Sequence, residues 1–304
     1  MIDSPGGISA RPRAGTRQLL TAAVLVLGLA ALGITTREAI QGSRDVSMPS
    51  AGALAACFVL TRAALSCTAQ AWVRLIGAPS DPSLVRGAFY TSQLTKYLPA
   101  GGVVQAAGQI AMTATRHISV GRVSLAYLSL AASTVAAGTA LGTALALVGD
   151  LDPVIRIAAA LGLAAPLLMN RSVLGAALRL ARRITRRAPD PELLPDQRAL
   201  WSSLGWSAGN LLLYSVAFTI LLRSVSPGLP LAHATVAYVV AWVAGFLVLP
   251  LPSGVGVREA MLVALVPGVA AGPLLAASLA QRLVAIAVEV TAALGNRAIR
   301  IYRR

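Results

Sequence analysis

Hydrophobic residues fill long blocks of this chain: Leu19 to Thr35, Ala51 to Gly77, Val123 to Val148, Pro153 to Met169, Ala199 to Leu222, Leu231 to Leu251 and Gly272 to Leu294. Polar or arginine-bearing links separate most of them, and two longer interrupted stretches, around Pro99 and Pro252, separate the rest. At 1.5 Å per helical residue, most of these blocks reach across a hydrocarbon core of ~30 Å. The pattern predicts seven membrane-spanning helices. The first block follows a basic stretch, as in a signal peptide, but it is long for one and has no small-x-small cleavage site before Arg37, so it is read as a retained helix.

The pattern changes between Asp81 and Arg122. Arg86, Gln93, Lys96, Gln105, Gln109, Arg116 and His117 interrupt an apolar background, and Pro99, Gly101 and Gly102 lie at its centre. Neither half is long enough to span comfortably, so the stretch predicts two short helices that meet at the Pro/Gly break, dip into the membrane and return. A second break, Leu249 to Met261, holds Pro252, Gly254 and Gly256 and then Arg258 and Glu259. With Pro99 laid on Pro252, Gly101 falls on Gly254, Val104 on Val257 and Ala107 on Ala260, while Gln105 stands where Arg258 stands. Two readings compete. Paired Pro/Gly-interrupted segments in two halves of a membrane protein point to a transport site, because broken helices expose backbone groups at depth. The other reading is two helix caps that happen to share Pro and Gly.

Composition narrows the class. Of 304 residues, 56% are hydrophobic and 12% charged, against roughly 25% charged in soluble domains. The expected fold is all-α, a polytopic integral membrane bundle forming one domain over residues 1–304. The net charge of +15 does not point to nucleic acid, since the arginines gather in links and at the termini. That distribution places residues 1–18, the basic link 171–198 and the tail 295–304 in the cytoplasm, and so both termini inside a cytoplasmic membrane. Seven crossings would leave the tail outside. An eighth over Gly254 to Pro267 brings it back in, so about eight crossings are expected. In the basic link, Leu174, Leu178 and Ala181 share one helical face with arginines elsewhere. Two uses fit equally: a helix lying on anionic lipid, or a solvated linker.

Charge at membrane depth carries the candidate chemistry. Arg62, Arg258, Glu259, Arg282 and Glu289 fall within or beside apolar blocks, and Lys96, the only lysine, lies at the first break. Arg282 and Glu289 are two turns apart on one helix face. Four cations against two carboxylates predict two internal pairs and a surplus of positive charge that calls for an anion. Phosphate suits it, because arginine offers a bidentate fork and helix N-termini after Gly-rich breaks aim N–H groups at anions. Arg258 is the leading headgroup ligand and Glu259 its pair or gate. Arg62, Lys96 and Arg282 follow as phosphate ligands, Glu289 as counter-charge and Gln105 as a polar contact. For each of these residues, membership of a structural ion-pair network is the alternative. Cys57 and Cys67 lie too far apart on one helix to bridge, and with only His117 and His233 besides, no metal or other cofactor is expected. No nucleophile elbow, P-loop or paired acidic motif occurs, so no enzyme activity is expected.

These motifs carry a resemblance. Lys96-Tyr97-Leu98-Pro99 followed by glycines, and Pro252-x-Gly254-x-Gly256-Val257-Arg258-Glu259-Ala260 followed by a span with Arg282, resemble the transmembrane region of lysylphosphatidylglycerol synthase. That region is also called the flippase-like domain, as in the multiple peptide resistance factor. Ala100 and Ser253 stand where the family usually has glycine. The resemblance implies movement of an anionic phospholipid between leaflets, with polyprenyl-phosphate-linked cargo as another candidate. Lipid aminoacylation is not implied, since no segment after Leu294 is long enough for the synthase domain. The alternative function is a non-transporting membrane subunit that supports a partner glycosyltransferase or lipid synthase.

Overall fold

A computed structural model describes residues 48–77, 81–97, 101–115, 117–147, 162–185, 189–228, 231–247, 257–266 and 269–302. The first apolar block, Pro99, Pro252, Gly254 and Gly256 lie outside the described residues. Among the described residues the regular structure is helical, with no strand. Four helices are long and apolar enough to cross a membrane: α1 (Ala51–Ile76), α4 (Val120–Ala146), α6 (Gln197–Val225) and α9 (Ala271–Tyr302). Helix α7 (Leu231–Leu247) is apolar but shorter. Ser50 caps α1, its Oγ accepting from Ala53 N at 3.2 Å, and Asp196 caps α6, accepting from Ala199 N at 2.6 Å. Gly77 ends α1 at φ 86°, a left-handed conformation open to glycine.

The predicted interrupted hairpin is present. Helix α2 (Pro82–Gln93) continues into a 3-10 turn, Leu94–Tyr97, and α3 starts beyond the break (Gly101–Thr113). At about 18–20 Å each, neither helix spans a ~30 Å core alone. Polar bonds join the two: Gln105 Nε2 donates to Gln93 Oε1 at 3.1 Å, and Ser92 Oγ donates to Gln109 Oε1 at 3.3 Å. Gly101 is required sterically, because a Cβ there would collide with the Lys96 carbonyl. The segment expected as a short eighth crossing holds α8 (Val257–Leu265), nine residues or about 14 Å of helix. Of the block Pro153 to Met169, the described part ends in a 3-10 helix, Ala165–Met169.

Helix α6 is the central post, packed along α1 and against α4, α7 and α9. Hydroxyls tie it to α4, Ser203 Oγ to Ser133 Oγ at 2.9 Å, and Asn210 Nδ2 donates to the Ala64 carbonyl of α1 at 2.9 Å. Such bonds replace the hydrophobic drive that lipid cannot supply, at about 0.6 kcal/mol each. Gly138 and Gly142, four apart on α4, sit on α7. A Cβ on Gly138 would strike Val243, and one on Gly142 would come within 3.3 Å of Val240 Cγ2. Gly138→Leu should therefore part α4 from α7 and lower stability by about 1–3 kcal/mol, read as a lower unfolding midpoint in detergent. An unchanged midpoint would show that the two helices can separate freely.

The basic link forms α5 (Arg171–Thr185). Its face bearing Leu174, Leu178 and Ala181 turns toward the protein, with Leu174 packed on the core. Beyond it, Asp190 pairs with Arg182 at 3.2 Å. The Glu192 N–H first, and Arg182 after it, hold the Asp190 carboxyl below the usual aspartate range. This contribution is therefore complete above that range and is lost as pH falls through the lowered value.

Candidate functional site

Helix α9 carries the polar chemistry because it presents Ser278, Arg282 and Glu289 along one side at spacings of four and seven residues. Both interrupted segments deliver their charges to it. Arg282 and Glu289 lie about 10 Å apart along its axis, so two separate ionic clusters form.

In the first cluster, Glu259 of α8 is the hub. Its Oε1 accepts from Arg282 Nη2 at 2.8 Å and from the Ser278 hydroxyl at 2.8 Å, and it lies 3.6 Å from Arg258 Nε. Arg258 Nη2 donates to Ser278 Oγ at 3.2 Å and Nη1 to the Tyr238 hydroxyl at 3.4 Å. The same guanidinium lies over the Tyr238 ring, 5.6 Å from its centroid, and that ring stacks on Phe218 at 4.8 Å. These contacts fix Arg258 on a rigid aromatic wall. Its Nε is buried and, among the described residues, makes no hydrogen bond. Side-chain exposures of 11% for Arg258, 10% for Arg282 and 19% for Glu259 put two guanidiniums and one carboxylate in a nearly dry space. Among the described residues, the cluster carries one net positive charge.

In the second cluster, Lys96 Nζ donates to Glu289 Oε1 across 193 positions of sequence. Glu289 is fully buried and Lys96 is 22% exposed. Tyr97 lies beside the carboxylate, while among the described residues Glu289 Oε2 has no hydrogen-bond partner of good geometry. This pair is neutral and closes the hairpin onto α9.

Where two internal pairs were expected, Lys96 and Glu289 form one, and Glu259 is instead shared by two arginines, with Arg282 nearer at 2.8 Å than Arg258 at 3.6 Å. Arg62 stands apart from both, bonded through Nη1 to Ser66 Oγ and placed 5.5 Å from the Tyr90 ring centroid. Gln105 bonds Gln93 within the hairpin. Gly101 and Gly102 begin α3. Sequence reasoning missed Tyr238 and Ser278, neutral residues that give no contrast in an apolar helix, and quoted Tyr97 only as part of a motif, without a role. Ser278 was within reach, four residues before Arg282 on the same face. Gln281, a polar residue of the last apolar block to which the sequence gave no role, donates from Nε2 to the Tyr214 carbonyl at 2.8 Å and pins α9 to α6.

Chemically, the first cluster can hold an anion. Two arginines present forked donors, and among the described residues the one carboxylate leaves half of their charge uncompensated.

No curated protein matches the chain. Residues 80–293, more than half of its length, match the family described as the lysylphosphatidylglycerol synthase TM region. That match spans the hairpin, both ionic clusters and most of α9, and the chain is a multi-pass membrane protein belonging to the lysylphosphatidylglycerol synthase TM region family.

Proposed function

We propose that this protein binds an anionic phospholipid headgroup at Arg258, Glu259 and Arg282 and passes it between leaflets, without itself being an enzyme. The observation that carries this reading is the unbalanced cluster of two arginines on one glutamate, nearly buried and joined to a short helix that follows a Pro/Gly-rich segment. Uncompensated charge at low dielectric is costly, and a phosphate diester would offset it with bidentate bonds. The lipid's chains would remain in the bilayer beside the short helices. Lys96 and Glu289 hold the hairpin against α9, and Arg62 is kept in reserve by Ser66 and Tyr90.

The test is headgroup selectivity. Liposomes carrying the purified full chain should exchange fluorescent phosphatidylglycerol between leaflets faster than the matching phosphatidylcholine. The expected selectivity is about tenfold, which corresponds to 1.4 kcal/mol of preference for the anion. Equal rates for both lipids would remove the anion site from the account. No exchange of either by folded protein would favour a subunit that supports a partner enzyme.

A further inference from the structure

The face of α5 turned toward the protein is not its only apolar face. Val173, Ala177, Leu180 and Ile184 fall at spacings of four, three and four, within about 60° of arc on the helix. All four are exposed, Leu180 at 59% and Ile184 at 75%. They continue the arc of Leu174, Leu178 and Ala181, so one broad apolar surface is half covered by the protein and half bare. Arg179 and Arg183, four apart, run along the flank of the bare half, and Arg182 lies opposite it.

The level of the helix is fixed by its start. Gln197, the first residue of α6, accepts from the Arg171 N–H at 2.7 Å and donates to the Met169 carbonyl at 3.1 Å. Helix α5 therefore leaves the bundle at the end of a spanning helix. One turn further along α6 stands Trp201, then Trp206, 41% and 38% exposed. Exposed tryptophans near one end of a spanning helix mark the boundary between headgroups and hydrocarbon. A bare apolar stripe flanked by arginine at that level fits a helix lying in the plane of the interface.

We infer that α5 is an in-plane anchor, seated through Val173, Ala177, Leu180 and Ile184 in the anionic leaflet on the side of the basic link, with Arg179 and Arg183 on its headgroups. The occupant of the stripe is the membrane in which the protein sits. Its arginines concentrate anionic lipid around the bundle on that side.

Nitroxide labels at Leu180→Cys, Ile184→Cys and Arg182→Cys, in a chain with Cys57→Ala and Cys67→Ala, test this in nanodiscs of three parts phosphatidylcholine to one part phosphatidylglycerol. Collision with oxygen relative to a water-soluble nickel chelate should be several-fold higher at positions 180 and 184 than at 182. The contrast should shrink in phosphatidylcholine alone. Equal nickel access at all three positions would place α5 in water and overturn the inference. Dipolar broadening between labels would seat a second copy on the stripe and overturn it as well. A contrast indifferent to lipid charge would refute the anionic contact.

Discussion

Lys96→Met is expected to destabilise the folded protein by about 3–5 kcal/mol, the cost of leaving a buried charge without its partner. The case rests on asymmetry: Glu289 is fully buried while Lys96 keeps 22% exposure, so the carboxylate has the most to lose. Among the described residues, only the lysine reaches Glu289 Oε1 with a charge, and Oε2 lacks a bond of good geometry. The replacement keeps much of the lysine's length and removes only its charge. Lys96→Met with Glu289→Leu should recover most of the loss, since replacing a buried pair by apolar residues is often neutral. Unfolding midpoints of the three proteins in detergent give the answer. A single variant as stable as the wild type would mean that the hairpin does not depend on this contact.

Glu259→Gln should have an effect that depends on the lipid present. In a neutral bilayer the substitution leaves Arg258 and Arg282 facing each other without a counter-charge, a loss on the order of 3 kcal/mol. In a bilayer rich in phosphatidylglycerol, the lipid phosphate takes the place of the carboxylate and binding restores stability by mass action. The unfolding midpoint of Glu259→Gln in nanodiscs is therefore expected well below wild type in phosphatidylcholine and close to it in phosphatidylglycerol. The same deficit in both lipids would make Glu259 a structural hub and leave the arginines with no anion to receive.

Much of this arrangement was legible in the sequence. The apolar blocks gave α1, α4, α6 and α9 because hydrophobic length is a one-dimensional property, and Pro99 with its glycines gave the point where α2 and α3 part. The seven-residue spacing of Arg282 and Glu289 placed both on one side of α9, as observed. Partner choice was not legible. Lys96 meets Glu289 across 193 positions, a contact set by how the hairpin docks on α9. Tyr238 and Ser278 complete the arginine cluster, but as neutral residues among apolar ones they carry no mark. In α5 the periodicity located an apolar face at Leu174 and Leu178 yet could not say which part of the arc the bundle covers. The structure covers that face and leaves Leu180 and Ile184 bare.

The central claim is that an anionic headgroup passes through the cluster at the start of α8. Leaflet exchange of fluorescent phosphatidylglycerol in liposomes, wild type against Arg258→Ala, tests it most directly, with unfolding midpoints showing that both proteins are folded. A charged hydrogen bond contributes about 1.5–3 kcal/mol, so loss of the guanidinium should slow exchange by about 10- to 100-fold. Exchange at the wild-type rate by folded Arg258→Ala would contradict the account and move the path away from this cluster.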